Sequence, residues 1–161
     1  MVKRPVRLHI LRALLFVMVC EAAGIVGSFF TFPAIGTWYN LLAKPWFTPP
    51  SYLFGPVWTL LYALMGVSAY LAWELSKGTA RSRAMSAFFV QLSLNILWSA
   101  VFFGLKSPLY GLAVIILLAI GIAVTILQFA KVSRTSAALM APYLAWVLFA
   151  AILNFYIAIM N

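Results

Sequence analysis

Acidic, histidine and cysteine side chains are scarce in this chain, and their scarcity excludes most enzymatic chemistry. The 161 residues include no aspartate, two glutamates (Glu21 and Glu74), one histidine (His9) and one cysteine (Cys20). A single cysteine cannot form an intramolecular disulfide, and the sequence offers no cluster of metal ligands. General acid–base and metal catalysis therefore lack the groups that they need, and Cys20 is expected to be a small core residue.

Apolar residues dominate the rest of the composition. They make up 66% of the chain, and the mean hydropathy is +1.07. A water-soluble domain of this length could not bury so much apolar surface, whereas runs of about 20 apolar residues can each cross a bilayer. Five such runs predict an all-α integral membrane protein, a five-helix bundle in one domain (1–161), with spans at about 8–32, 52–75, 83–105, 108–131 and 135–160.

Basic residues are unevenly distributed between the two ends of the predicted bundle. Nine precede the first span or follow the second and fourth spans: Lys3, Arg4, Arg7, Arg12, Lys77, Arg81, Arg83, Lys131 and Arg134. Only Lys44 and Lys106 lie at the opposite end. The positive-inside rule therefore predicts a cytoplasmic N-terminus and a C-terminus outside. The basic connections are too short to form a nucleic-acid surface, and contact with anionic lipid headgroups accounts for them.

The segment 33–51, between the first and second spans, contains the one long stretch that cannot be a membrane helix. Pro45, Pro49 and Pro50 lack N–H groups and push the preceding residues toward extended geometry. The segment is nevertheless rich in tryptophan, tyrosine and phenylalanine, unlike an ordinary solvated loop. A proline-stiffened aromatic segment on a membrane-embedded chain is predicted to form a lid over a binding cavity.

Amide and aromatic side chains recur at helical spacing in three spans. The stripes are Trp58, Tyr62, Met65 and Ala69; Gln91, Asn95, Trp98, Ser99 and Phe102; and Pro142, Trp146, Phe149, Ala150, Leu153 and Asn154. Because an unpaired amide is costly in hydrocarbon, the three amides are predicted to face the bundle interior. One interpretation is that amides join helices and aromatic rings fill the core. The other is that the tryptophans of the stripes line a pocket for a flat, largely apolar ligand.

Three other positions carry expectations about function or packing. Glu21, an acid inside the first span, is a candidate functional group, and a structural role as a protonated or hydrogen-bonded acid is the alternative. Ala100 and Gly104 lie four residues apart, a spacing that permits close helix approach within the monomer or across a homodimer. Pro142 is expected to kink the fifth span or to mark its beginning.

Several motifs together resemble one known family. In chain order they are Trp38-Tyr39, Lys44-Pro45-Trp46, Pro49-Pro50, Pro56-Val57-Trp58, Tyr62-Ala63-Leu64-Met65-Gly66, Asn95-Ile96-Leu97-Trp98-Ser99, Phe102-Phe103, Pro142-Tyr143, Trp146, Phe149-Ala150 and Leu153-Asn154. The pattern runs from Gly24 to Asn161 and resembles the TspO/MBR family, whose members are called tryptophan-rich sensory protein, translocator protein or peripheral benzodiazepine receptor. The resemblance implies a five-helix bundle, commonly dimeric, with a pocket beneath the first loop.

The resemblance also implies a ligand class and a set of binding residues. Family ligands include porphyrins such as protoporphyrin IX and haem, cholesterol in some members, and benzodiazepine-type drugs; a cofactor is not required. The residues that match the family pocket, its neighbouring amides and its porphyrin-linked loop are Trp38, Tyr39, Trp58, Tyr62, Asn95, Trp98, Ser99, Phe102, Trp146, Ala150, Leu153 and Asn154. Some members degrade protoporphyrin in light, an activity tied to the tryptophans that match Trp58 and Trp146.

One departure from the family pattern concerns sterols. The cholesterol-recognition pattern needs a Lys or Arg after a tyrosine, but Tyr156 is followed by residues 157–161 without a cation. This difference favours porphyrin. The resemblance therefore implies a membrane receptor or carrier for tetrapyrroles, with a role in their regulation, transport or stress signalling. The alternatives are a light- and oxygen-dependent porphyrin-degrading enzyme and a structural membrane protein that acts through its partners.

Overall fold

The computed structural model describes residues 6–161, with side chains from residue 8 onward. Its helices are α1 (Val6–Ala34), α2 (Phe54–Leu75), α3 (Gly78–Ser99), α4 (Pro108–Ala130), α5 (Arg134–Leu139) and α6 (Ala141–Met160). Five helical segments of the described chain are long and apolar enough to cross a membrane, which confirms the predicted all-α membrane fold. Among the nine basic residues used to predict orientation, Lys3, Arg4 and the Arg7 side chain lie outside the described part.

The first helical segment is longer than predicted. Helical geometry passes through Pro33 and continues in a π-helical turn, Ile35–Tyr39. The Thr37 hydroxyl donates a hydrogen bond to the Pro33 carbonyl oxygen at 2.8 Å, which adds a side-chain contact to the turn that follows the proline. The rule that proline interrupts a helix considers only its missing N–H and its ring. The irregular segment is therefore residues 42–50, and the predicted loop over 33–51 was too long.

Two other helix boundaries also differ from, or refine, the prediction. Helix α3 begins at Gly78, before the predicted residue 83, and it is extended by a π-helical turn over Ala100–Gly104. The fifth span is two helices, because α5 ends at Leu139 and α6 begins at Ala141, with Pro142 in its first turn. A proline is tolerated there since its missing N–H would have no intrahelical acceptor. Pro142 thus marks the beginning of the main helix of the span.

The spans form a ring in the order α2, α1, α3, α4 and α5/α6, which returns to α2. Helices α1 and α2 approach closely at Gly66, where an added Cβ would lie 2.5 Å from the Val17 Cα atom. The same two helices are joined near the N-terminal end by Arg12, whose Nη1 atom donates to Glu74 Oε1 at 2.7 Å. This arrangement leaves a space between α1, α2, α3 and α6 at the opposite end of the bundle.

Candidate ligand-binding cavity

A cavity of about 310 Å³ occupies that space. Small-molecule sites span roughly 300–1,000 Å³, so the volume is at the lower end of that range. The predicted site residues that line the cavity are Tyr39, Trp58, Tyr62, Asn95, Trp98, Ser99, Phe102, Trp146, Ala150, Leu153 and Asn154. The structure therefore brings eleven of the twelve predicted residues to one hollow, from four different helical segments.

Trp38 is the predicted site residue that does not line the cavity. Its ring packs edge-on against Phe102, with ring centroids 5.6 Å apart, while the adjacent Tyr39 is buried and lines the cavity. Tyr39 is therefore a wall residue, and the ligand-binding role that the resemblance implies for Trp38 in the loop motif stays a prediction.

A buried chain of hydrogen bonds forms the part of the cavity farthest from the loop. The Tyr62 hydroxyl on α2 donates to Asn95 Oδ1 on α3, and Asn95 Nδ2 donates to the Tyr143 hydroxyl on α6 at 3.0 Å. The exposed fractions of Gln91, Asn95 and Asn154 are 0%, 3% and 1%, which confirms that the three amides face the interior. Asn95 thus has a structural role in joining three spans as well as a place in the cavity wall.

Asn154 holds one of the tryptophans in position. Trp98 Nε1 donates to Asn154 Oδ1 at 3.2 Å, and Asn154 Nδ2 donates to the carbonyl oxygen of Pro108 at 2.7 Å. The Trp98 ring is also stacked on Phe102, with centroids 5.6 Å apart and planes inclined by 26°. The Trp98 ring has a fixed orientation, because its N–H is hydrogen-bonded to Asn154 and one of its faces is stacked on Phe102.

Indole rings make up much of the cavity wall. The Trp58 and Trp98 centroids are 6.4 Å apart with planes inclined by 32°, and Trp146 lines the cavity from α6. Within residues 6–161, neither Trp58 Nε1 nor Trp146 Nε1 has a protein hydrogen-bond acceptor. The cavity therefore offers apolar ring faces together with two donors that a ligand could use.

Helix α1 forms a wall that the sequence analysis did not identify. Ser99 donates to the Gly27 carbonyl oxygen at 2.8 Å, and its hydroxyl lies 2.7 Å from that of Thr31. Gly24 provides room for Tyr62, since a Cβ at Gly24 would lie 2.5 Å from the tyrosine ring. The signal that could have predicted this wall is the recurrence of small and hydroxyl residues at helical spacing in an otherwise bulky apolar span.

The cavity opens sideways between α1 and α2. Ile25 and Phe32 on α1 line it, although their exposed fractions are 59% and 73%, and the exposed Gly55 and Thr59 on α2 line the facing side. In a bilayer these outward positions of a spanning helix face lipid. The opening is therefore a lateral slot in the membrane-facing surface of the bundle.

The loop after α1 is held against the outer end of α6. Ala43 exchanges two hydrogen bonds with the Asn161 side chain at 3.0 and 3.1 Å, and Phe47 packs on Tyr156 with ring centroids 5.5 Å apart. Trp46 is 95% exposed. Of the predicted lid over 33–51, only Ile35, Tyr39 and Ser51 line the cavity. The part of the segment that covers the cavity is thus smaller than predicted.

The small residues near the end of α3 pack within the protomer. A Cβ at Gly104 would lie 3.0 Å from Phe30 Cδ1 on α1. Close packing of this π-helical turn on α1 accounts for a glycine at this position without a second copy of the chain. The predicted homodimer contact through Ala100 and Gly104 stays a prediction.

Comparison with known proteins agrees with this architecture. The model of the TspO/MBR family matches residues 16–160. The chain is 47% identical over 154 residues to the tryptophan-rich protein TspO of Archaeoglobus fulgidus, covering 96% of this chain and 99% of the relative. It is 37% identical over 132 residues to the translocator protein of Homo sapiens, covering 81% and 78% of the two chains.

A third relative, the tryptophan-rich protein TspO of Chlorobaculum tepidum, is 44% identical over 156 residues, which covers 95% of this chain and 98% of the relative. The match extends over all five apolar spans and over every helix that lines the cavity. The chain is therefore a multi-pass integral membrane protein and belongs to the TspO/MBR family.

Proposed function

We propose that the protein is a membrane receptor or carrier that binds porphyrins, such as protoporphyrin IX and haem, and similar flat apolar molecules in the cavity between α1, α2, α3 and α6. The observation that carries the proposal is the convergence of Trp58, Trp98 and Trp146, from three separate spans, on one hollow. Flat conjugated ligands bind well to indole rings because stacking buries a wide apolar face on each side. The protein then has a role in tetrapyrrole regulation, transport or stress signalling.

The composition of the cavity wall suits a flat aromatic ligand. The Trp58 and Trp98 planes are inclined by 32° with centroids 6.4 Å apart, so two indole rings lie close together in the wall. The lateral slot between Ile25 on α1 and Thr59 on α2 lets part of a large ring extend toward the lipid. A macrocycle can therefore place one edge against the indoles without being enclosed completely.

Binding can be measured by titrating the purified protein with protoporphyrin IX in the dark and following quenching of tryptophan fluorescence. We expect saturable quenching, and Trp146→Ala should weaken binding by about 1–3 kcal/mol, the magnitude found for stacking of flat rings on aromatic side chains. Trp73→Ala is the matched control, because Trp73 lies outside the cavity, where it packs on Phe16 and Arg81. Equal losses in both variants would indicate general destabilisation and contradict a defined site.

A second candidate function is the light- and oxygen-dependent degradation of the bound porphyrin. The observation that favours it is that Trp58 and Trp146, which are oxidisable side chains, line the cavity with N–H groups that lack an acceptor in the described chain. Illumination of the complex in the presence of oxygen should then give a product at a rate that falls in Trp58→Phe and Trp146→Phe. Binding without any product in light would leave the receptor or carrier function alone.

We further propose that the N-terminus is cytoplasmic and the C-terminus outside, as the distribution of basic residues indicates. Lys77, Arg83 and Lys131, which are exposed in the structure, lie at the same end of the bundle as the start of α1. A reporter enzyme that is active only outside the cytoplasm should be active when it is fused to the C-terminus. An active cytoplasmic reporter at that position would reverse the orientation.

A further inference from the structure

Glu21 is the one acidic side chain on the cavity wall, within the part of the chain that the structure describes. It lies on the same face of α1 as Gly24, Ser28 and Thr31, at the spacing of i, i+3, i+7 and i+10, and all four residues line the cavity. Glu21 therefore marks the end of the cavity farthest from the loop, at the same level as Tyr62.

The carboxyl group of Glu21 has no hydrogen bond or ion pair with any residue of the described chain. The nearby Tyr62 hydroxyl donates to Asn95, and the Arg12 guanidinium of α1 bonds Glu74. The hydrogen bond from Glu21 to a neighbouring helix, which was one expectation from the sequence, is therefore absent from the described part of the chain. An acid in a membrane span is costly unless it has a partner, and a ligand could supply one.

The opposite end of the cavity has the opposite electrostatic character. Lys44 lies behind Tyr39, with its ammonium group 4.9 Å from the centroid of the tyrosine ring, and it donates to the Tyr39 carbonyl oxygen at 2.7 Å. Tyr39 itself lines the loop end of the cavity. The cavity thus has a carboxyl group at its far end and a cation behind its wall at the loop end.

We infer that Glu21 is a specificity-determining residue that orients the ligand: it excludes ligand carboxylates from the far end of the cavity and favours hydrogen-bond donors there. A porphyrin whose carboxylates lie along one edge can place that edge toward the loop. A porphyrin with carboxylates around the whole ring must bring one of them toward Glu21, and two like charges at close range repel strongly in a site of low dielectric constant. This inference rests on the proposed porphyrin-binding function.

The inference is tested with two porphyrins and two variants in the same fluorescence-quenching assay. The probes are protoporphyrin IX, whose two carboxylates lie on one edge, and coproporphyrin III, whose four carboxylates surround the ring. The variants are Glu21→Gln, which removes the charge with little change in shape, and Glu21→Asp, which keeps the charge. The measured quantity is the ratio of the two dissociation constants for each protein.

Glu21→Gln should bind coproporphyrin III about tenfold more tightly than the wild-type protein does, a change of about 1.4 kcal/mol. The ratio of the dissociation constant for coproporphyrin III to that for protoporphyrin IX should therefore fall, and saturable binding of protoporphyrin IX shows that the variant is folded. Glu21→Asp should keep the wild-type ratio. If protoporphyrin IX binds but the ratio is the same in Glu21→Gln, the inference about Glu21 is wrong and the proposed function stands. If neither porphyrin binds the wild-type protein, the proposed function fails first.

Discussion

Two buried amides on α3 allow a prediction in which similar substitutions have effects of opposite sign. Gln91 and Asn95 lie one helical turn apart, and both are almost completely inaccessible to solvent. Asn95 joins Tyr62 and Tyr143 by hydrogen bonds, whereas Gln91 Nε2 and Oε1 have no partner within residues 6–161. An apolar replacement should therefore stabilise the protein at one position and destabilise it at the other.

The magnitudes follow from what each substitution removes. A buried polar group without a partner costs about 1–3 kcal/mol, so Gln91→Met, which keeps nearly the same volume, should raise the free energy of unfolding by about that amount. Asn95→Leu removes two hydrogen bonds and leaves two tyrosine hydroxyls without their partner. Hydrogen bonds between membrane helices contribute only about 0.6 kcal/mol on average, and the unpaired hydroxyls bring the expected loss to about 2–4 kcal/mol.

Reversible unfolding in mixed micelles, followed by tryptophan fluorescence at increasing denaturing-detergent concentration, measures both changes on one scale. Because the two residues are on the same helix and at a similar depth, each variant serves as the control for the other. A Gln91→Met variant that loses as much stability as Asn95→Leu would refute the reasoning. Such a result would mean that the Gln91 amide is satisfied in the membrane.

Two further predictions concern packing and the loop. Gly66→Ala should lower the free energy of unfolding by about 1–3 kcal/mol, since the new Cβ would overlap the backbone of Val17. Gly55→Ala on the same helix has open space around it and should be neutral or slightly stabilising. Comparable losses of stability in both variants would contradict the close approach of α1 and α2. Lys44→Met should speed amide hydrogen exchange over residues 40–50 about fivefold, because the Lys44 ammonium donates hydrogen bonds to carbonyl groups at the end of the first helical segment and just after it. Their loss should destabilise the segment by about 1 kcal/mol. The matched control is Lys106→Met, at an exposed position, which should leave exchange over residues 40–50 unchanged.

Much of the candidate site could be predicted because helical periodicity shows which residues share a face. The stripes on the second, third and fifth spans placed Trp58, Trp98 and Trp146 together, and the structure puts all three on one cavity. The cost of an unpaired amide in hydrocarbon likewise predicted that Asn95 and Asn154 point inward, as they do. In these cases a local rule was sufficient, since each helix carried its own polar or aromatic signal.

The contribution of α1 could not be predicted in the same way. Most of its residues are apolar, and lipid is as apolar as the bundle interior, so hydrophobicity alone does not show which face of such a helix points inward. Contacts between spans, such as that of the Ser99 hydroxyl with the Gly27 carbonyl oxygen, show the face directly. Nor could the sequence predict that Trp38 packs on Phe102, because a π-helical turn takes the place of part of the predicted loop and sets the direction of the ring.

The sequence by itself determined the five spans and the set of tryptophans and amides available for a site, since length, apolarity and spacing are properties of each helix alone. The tertiary structure decided which polar groups find partners. Asn95 is bonded on both sides, Gln91 on neither, and Glu21 faces the cavity alone, although all three lie in apolar spans. The physical reason is that hydrogen bonds between helices depend on rotation and depth, which only the packing of one span against another fixes.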